Sequence, residues 1–242
     1  MRNIRLVLEY DGTAYVGWQR QPEGRSVQGE IEQVLRTILG ERVGVIGAGR
    51  TDSGVHARGQ VANFRTGSLL TAREIMGGLN GLLPEDIVVH RSEDVPPDFH
   101  ARYSAKGRTY SYLIRRAPAA LLRHFCWQLG YPLDAAIMNA AADCIAGLHE
   151  FRSFCKSGDE VDDARCTVRA ASWSEDGDFL AFRISADRFI HGMVRALVGT
   201  MVDVGRGHTS LDRFRQILDS GHRSESGQSA PARGLVLEEV EY

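Results

Sequence analysis

A chain of 242 residues, 43% hydrophobic and 25% charged, has the composition of a globular protein with room for one large domain or two smaller ones. No apolar run approaches the roughly 20 residues that span a bilayer, and Met1–Tyr10 lacks the long apolar core of a signal peptide, so the expectation is a cytoplasmic protein with no membrane partner. The net charge of −2 excludes a uniformly basic nucleic-acid binder, but residues 1–130 hold 17 Lys+Arg against 13 Asp+Glu, while 131–242 hold 12 against 18.

Ile4, Leu6 and Leu8 alternate with Arg5, Val7 and Glu9, which predicts a strand ending at Tyr10-Asp11-Gly12. Ser26 is placed to cap a helix whose apolar positions are Val27, Ile31, Val34, Leu35 and Ile38, closed by Gly40. Val43–Ile46 and Gln60–Phe64 read as short strands around a glycine-bounded loop. A second helix is expected from near Thr71 to before Pro84, then a strand at Ile87–His90. Composition shifts near Pro96-Pro97, giving two expected subdomains, 1–105 and 106–242. Beyond the boundary come a strand at Arg108–Arg115, an alanine-rich helix over Asp134–Leu148, and a hairpin of Val168–Trp173 with Phe179–Ile184. An apolar helix over Met193–Val204, a short helix capped by Ser210 and a last strand with Leu235, Leu237 and Val240 complete the chain. The pattern predicts an α/β protein of the α+β type, with a mostly antiparallel mixed sheet flanked by helices.

Candidate chemistry concentrates in Gly49-Arg50-Thr51-Asp52-Ser53-Gly54-Val55-His56-Ala57. Gly49 and Gly54 permit close backbone approach to a ligand, and Thr51 and Ser53 can hold a carboxylate or the backbone. A surface turn with Asp52 capping a backbone N–H fits the same spacing. Cys126, Cys144, Cys155 and Cys166 form no C-x-x-C pair, so reduced, mostly buried thiols are expected. No P-loop, G-x-G-x-x-G fingerprint or metal-ligand cluster stands in the sequence, and neither a cofactor nor a metal is expected.

The loop G-R-T-D-x-G-V-H-A resembles the signature of the tRNA pseudouridine synthase A family. Other segments agree in order: Tyr10-Asp11-Gly12 with Tyr15, Gly17, Trp18, Gln19 and Gln21; Arg102, Lys106, Tyr110 and Tyr112; His149, Phe151 and Phe154; Phe189, Met193, Val194, Arg195, Val198 and Gly199; Pro231, Gly234, Leu235 and Leu237. Glu150, where aspartate is common in the family, is a small departure. The resemblance implies the pseudouridine synthase fold and isomerisation of uridine at positions 38 to 40 of the tRNA anticodon stem-loop. It further implies a homodimer docking tRNA across both subunits, with Asp52 as the catalytic carboxylate. It pairs Arg195 with that carboxylate, stacks Tyr110 on the uracil, and gives Arg50 a part in extruding the base or filling its place.

The chemistry breaks the base–ribose C–N bond, turns the base and rejoins it through C5. The base must leave the stack, at a cost of a few kcal/mol, and water must be kept from the sugar. A carboxylate can attack a ring or sugar carbon, or remove a sugar proton, and the sequence does not choose among these. Stacking on an aromatic face is worth roughly 1–3 kcal/mol per base, although a strand tyrosine such as Tyr110 is also ordinary core. Leu235 is expected either to line the pocket near the base or to be ordinary core, Trp18 and Gln19 lie in a loop that could meet RNA or pack, and His56 and Tyr112 are read as structural. Two other functions fit parts of the pattern. One is an RNA-binding module, which gains nothing from an aspartate near phosphates. The other is a glycosidase with Asp11 as second carboxylate, which would release free uracil.

Overall fold

Strict alternation builds the first strand: β1 (Arg2–Tyr10) buries Ile4, Leu6, Leu8 and Tyr10 on one face. The structure is a computed structural model describing residues 1–156 and 162–242. Among those residues ten strands, mostly antiparallel, and five α-helices form two units, one of residues 1–106 with 236–242 and one of 107–235.

In the first unit, α1 (Val27–Leu39) begins where Ser26 Oγ accepts the Gly29 N–H at 3.2 Å, and ends at left-handed Gly40. Its apolar stripe, Val27, Ile31, Val34 and Leu35, is buried. A short strand β2 (Ile46–Gly47) leads through the Asp52 loop into β3 (His56–Thr66). The helix α2 (Ala72–Leu82) opens with a capping box, Thr71 and Glu74 each bonding the other's backbone N–H. It packs on α1 and on β4 (Ile87–Val95). β1 lies between β4 and β3, antiparallel to both, with Leu6 opposite Ala62 and Ser92. The last strand of the chain runs parallel to β3, Val236 opposite His56. These final residues, assigned from sequence to the second subdomain, thus pack with the first unit.

In the second unit, β5 (Gly107–Arg115) pairs with the short β6 (Trp127–Gln128) and, antiparallel, with the later strand Phe179–Ala186. α3 (Ala135–Asp143), capped by Asp134, is shorter than the alanine-rich sequence predicts. Gly147, at φ 92°, breaks the run, and Gly147–Glu150 becomes a strand, β7. β8 (Arg165–Asp176) and β9 (Phe179–Ala186) form the predicted hairpin, giving the order β5-β9-β8-β7. α4 (Met193–Gly205) is buried almost all round, and α5 (Leu211–Ser220), capped by Ser210, packs on α3 and α4. The expected strand at Val43–Ile46 contracts to β2, and the predicted final strand is β10 (Leu235–Glu241). Among the described residues no helix is long and apolar enough to cross a membrane.

Candidate active site

Asp52 is half-buried at the head of a turn whose backbone is tied on both sides. Its carbonyl accepts the Val55 N–H at 3.1 Å, with Gly54 left-handed at φ 77° as a type II turn requires. The preceding carbonyl, of Thr51, accepts the Trp18 N–H at 3.1 Å, and the Gly54 N–H and the Ser53 hydroxyl both reach the Tyr15 carbonyl, at 3.3 and 3.2 Å. The segment Tyr15–Trp18 therefore lies directly on the loop. Gly17, at φ 114°, makes this possible: a Cβ there would stand 2.6 Å from the Thr51 carbonyl oxygen.

Beneath the loop a buried polar chain continues the bracing. The Thr51 and Tyr10 hydroxyls lie 2.8 Å apart, and Gln60 Nε2 donates to Tyr10 Oη at 3.4 Å and to the Gly49 carbonyl at 2.9 Å. Burial pushes the Tyr10 phenol up to about 12, so it stays neutral and serves as a hydrogen-bonding strut. Trp18 is 2% exposed with its ring against Gly47, so it packs and does not reach out to RNA.

Arg50 is exposed on the same loop. His56, 3% exposed, sets Nδ1 3.0 Å from the Gly12 nitrogen and 3.0 Å from Asp11 Oδ1, so it braces the turn after β1, in keeping with a structural role. Asp11 caps that turn through Thr13 N and Oγ1 at 2.9 and 2.6 Å. Burial alone would raise its pKa, but the Thr13 bonds and His56 outweigh it and hold the carboxyl below its ordinary value. A carboxylate so occupied is a poor second acid for glycoside hydrolysis.

The second unit carries the other candidates. Tyr110 and Tyr112 share a face of β5. Tyr110 is 8% exposed, its ring edge-on to Phe189 at 5.1 Å. Tyr112 is fully buried, as its core assignment requires, but its hydroxyl also donates to the Pro231 carbonyl at 2.8 Å. Burial raises the Tyr112 phenol well above its usual range, against the opposing pull of Arg195 and Arg233. Arg195 Nε donates to the neighbouring carbonyl, Ala230, at 2.8 Å, and the Ala230 N–H returns a bond to the Arg195 carbonyl at 2.9 Å. Leu235 is buried at the start of β10.

Arg195 is the third residue of α4, where the helix dipole favours an anion, and a cation there gives up roughly 0.3–1 kcal/mol. An arginine inside a largely apolar helix stands against local preference. The Tyr112–Pro231 and Arg195–Ala230 bonds were not foreseen from the sequence: they join positions far apart in the chain, and no motif announces them.

The turn that carries Asp52 is thus fixed by hydrogen bonds from both flanking segments. Comparison with known proteins gives the family. A family model described as tRNA pseudouridine synthase matches residues 6–104 and 141–242. The tRNA pseudouridine synthase A of Acetivibrio thermocellus is 44% identical over 100% of both chains. That of Chlorobium luteolum is 45% identical over 100% of this chain and 96% of its own. A solved chain of the archaeal box H/ACA sRNP Nop10-Cbf5 complex aligns over 95% of this chain and 58% of its own, with 12% identity and a TM-score of 0.39. This chain belongs to the tRNA pseudouridine synthase family, isomerases that act on tRNA.

Proposed function

We propose that this protein isomerises uridine to pseudouridine at positions 38 to 40 of the tRNA anticodon stem-loop, with Asp52 as its essential carboxylate. The observation that carries the reading is the Asp52 turn: a family-signature loop whose carbonyls and N–H groups are committed to the Tyr15–Trp18 segment and to Val55. A backbone fixed in this way presents one carboxylate at a constant position, which is what a reaction through a short-lived detached base needs.

The balance of the reaction is simple. The C1′–N1 bond breaks and a C1′–C5 bond forms. The hydrogen on C5 leaves to solvent, and N1 takes up a proton. Asp52 serves the carbon centre or the sugar proton. Arg195, which the family resemblance pairs with that carboxylate, supplies the offsetting positive charge, and its Nε donates to the Ala230 carbonyl. Tyr110 and Leu235 supply apolar surface for the base, and exposed Arg50 suits a polyanion. The protein acts in the cytoplasm as a homodimer that holds tRNA across two copies, and its reaction uses no cofactor or metal.

Unmodified tRNA carrying tritium at uridine C5 tests this directly. Wild type releases tritium, and mapping places the product at positions 38 to 40. Asp52→Asn lowers the rate by roughly 10³-fold or more while tRNA affinity stays within about tenfold. Turnover near wild type in the variant removes Asp52 from its role. Free uracil in the mixture would mean hydrolysis in place of isomerisation.

A further inference from the structure

The carbonyl that orients Arg195 belongs to a loop with little regular structure. Residues 226–231 cross one face of α4 after a short 3-10 turn, Arg223–Glu225. Gly199, one turn beyond Arg195, lets the loop lie against the helix: a Cβ there would stand 1.8 Å from the Gln228 carbonyl oxygen. Thr200, 1% exposed, accepts the Gly227 N–H at 3.0 Å and donates to the Ala196 carbonyl at 2.8 Å. The loop then reaches Ala230 and Pro231, the acceptors for Arg195 and Tyr112.

One side chain gathers this loop. Arg223 Nη1 donates to Ser226 Oγ at 2.6 Å, to the Gly227 carbonyl at 3.2 Å and to the Ser226 carbonyl at 3.4 Å. Its Nη2 donates to Ser229 Oγ at 3.0 Å. Among the described residues Arg223 has no carboxylate partner, and Glu225, two positions on, pairs with Arg213 at 3.1 Å. A guanidinium whose two terminal nitrogens bond only neutral oxygens of one loop is a geometric device, because its planar fork fixes the relative placement of several acceptors at once. A lysine has the charge but not the fork.

We infer that Arg223 is a positioning residue for the isomerisation: it sets the 226–231 loop so that the Ala230 carbonyl holds the Arg195 guanidinium in its working orientation. The inference rests on the reading of Arg195 given above. The alternative is a loop brace that contributes stability alone.

The test uses the full chain and C5-tritiated tRNA in single-turnover assays, with tRNA affinity and melting temperature measured on the same preparations. Arg223→Met should slow the bound-state rate by about tenfold to a hundredfold, with affinity changed less than about threefold. Arg223→Lys should stay slow, since charge without the fork does not restore the geometry. In an Arg195→Met background, Arg223→Met should cause no further loss, because both changes remove one effect. If Arg223→Met melts early yet turns over at the wild-type rate per folded molecule, or if the two losses multiply, the positioning role is overturned. If Arg223→Met does not fold, Ser229→Ala replaces it. That variant deletes one fork acceptor and should slow the bound-state rate by about threefold without moving the melting temperature, and an unchanged rate overturns the proposal. Wild-type turnover in Arg195→Met alone would strike the earlier reading of Arg195, a failure separate from that of Arg223.

Discussion

The Asp52 turn presents a candidate residue and the 226–231 loop supplies the carbonyl that Arg195 bonds, and they are held by opposite means. The Asp52 turn is held mostly by backbone on backbone, through Thr51, Gly54 and Val55, with Gly17 letting one segment lie on the other. The 226–231 loop is held mostly by side chains on backbone, through Arg223, Thr200, Arg195 and Tyr112. Backbone-held geometry tolerates side-chain changes but not an added Cβ at the contact. Side-chain-held geometry fails one substitution at a time. Where a carboxylate must stay put, the first is the more robust solution. Where a long guanidinium must be aimed, only the second can reach it.

That contrast can be broken by substitution. The largest effect is expected for Gly17→Ala, which forces a Cβ against the Thr51 carbonyl and a strained backbone. It should cost roughly 2–3 kcal/mol by denaturant unfolding and depress turnover beyond the loss of folded protein. An unchanged midpoint would mean that the two segments are not locked. Next is Tyr112→Phe, which removes the hydroxyl from a buried carbonyl and should cost about 1–2 kcal/mol, where a loss too small to measure would make the Pro231 bond incidental. Ser53→Ala deletes an exposed hydroxyl beside Asp52, and its cost should stay within about 0.5 kcal/mol. A larger loss there would show that side chains, not backbone, hold the turn.

The smallest expected effect is in acid. Asp11 in the folded chain holds its proton less tightly than an ordinary carboxyl, so it stabilises the fold above its unfolded pKa, near 3.8. That contribution fades as the pH falls toward and through the lower folded value. Melting curves of wild type and Asp11→Asn should therefore converge as the pH drops below about 4, and parallel curves would deny the Thr13 and His56 contacts any net value.

Local signals carried much of the architecture. Ser26 and Ser210 cap α1 and α5 where the sequence places them, and α2 starts beside Thr71 as expected, because a cap is chemistry within three residues of the helix start. The apolar pattern of α4 and the β8–β9 hairpin were equally plain. The alanine run overran because propensity has no knowledge of a partner strand: His149 pairs opposite Cys166, and that pairing decides the segment. The Asp52 loop was legible through its glycines and its family signature. The arrangement around Arg195 was not, because Ala230 lies 35 residues away and a backbone carbonyl has no letter in the sequence.

The parallel pairing of β10 with β3 has a consequence for how the protein is made. Val236 and Leu237 lie opposite His56 and Ala57, immediately after the Asp52 turn. During synthesis those partners leave the ribosome only after all of residues 107–235 have been translated. The first 106 residues can emerge and collapse early, but the edge of β3 next to Asp52 stays uncovered until Val236 and Leu237 have been made, exposed to wrong partners. A nascent protein stalled before residue 236 would therefore carry the signature loop without the strand that flanks it.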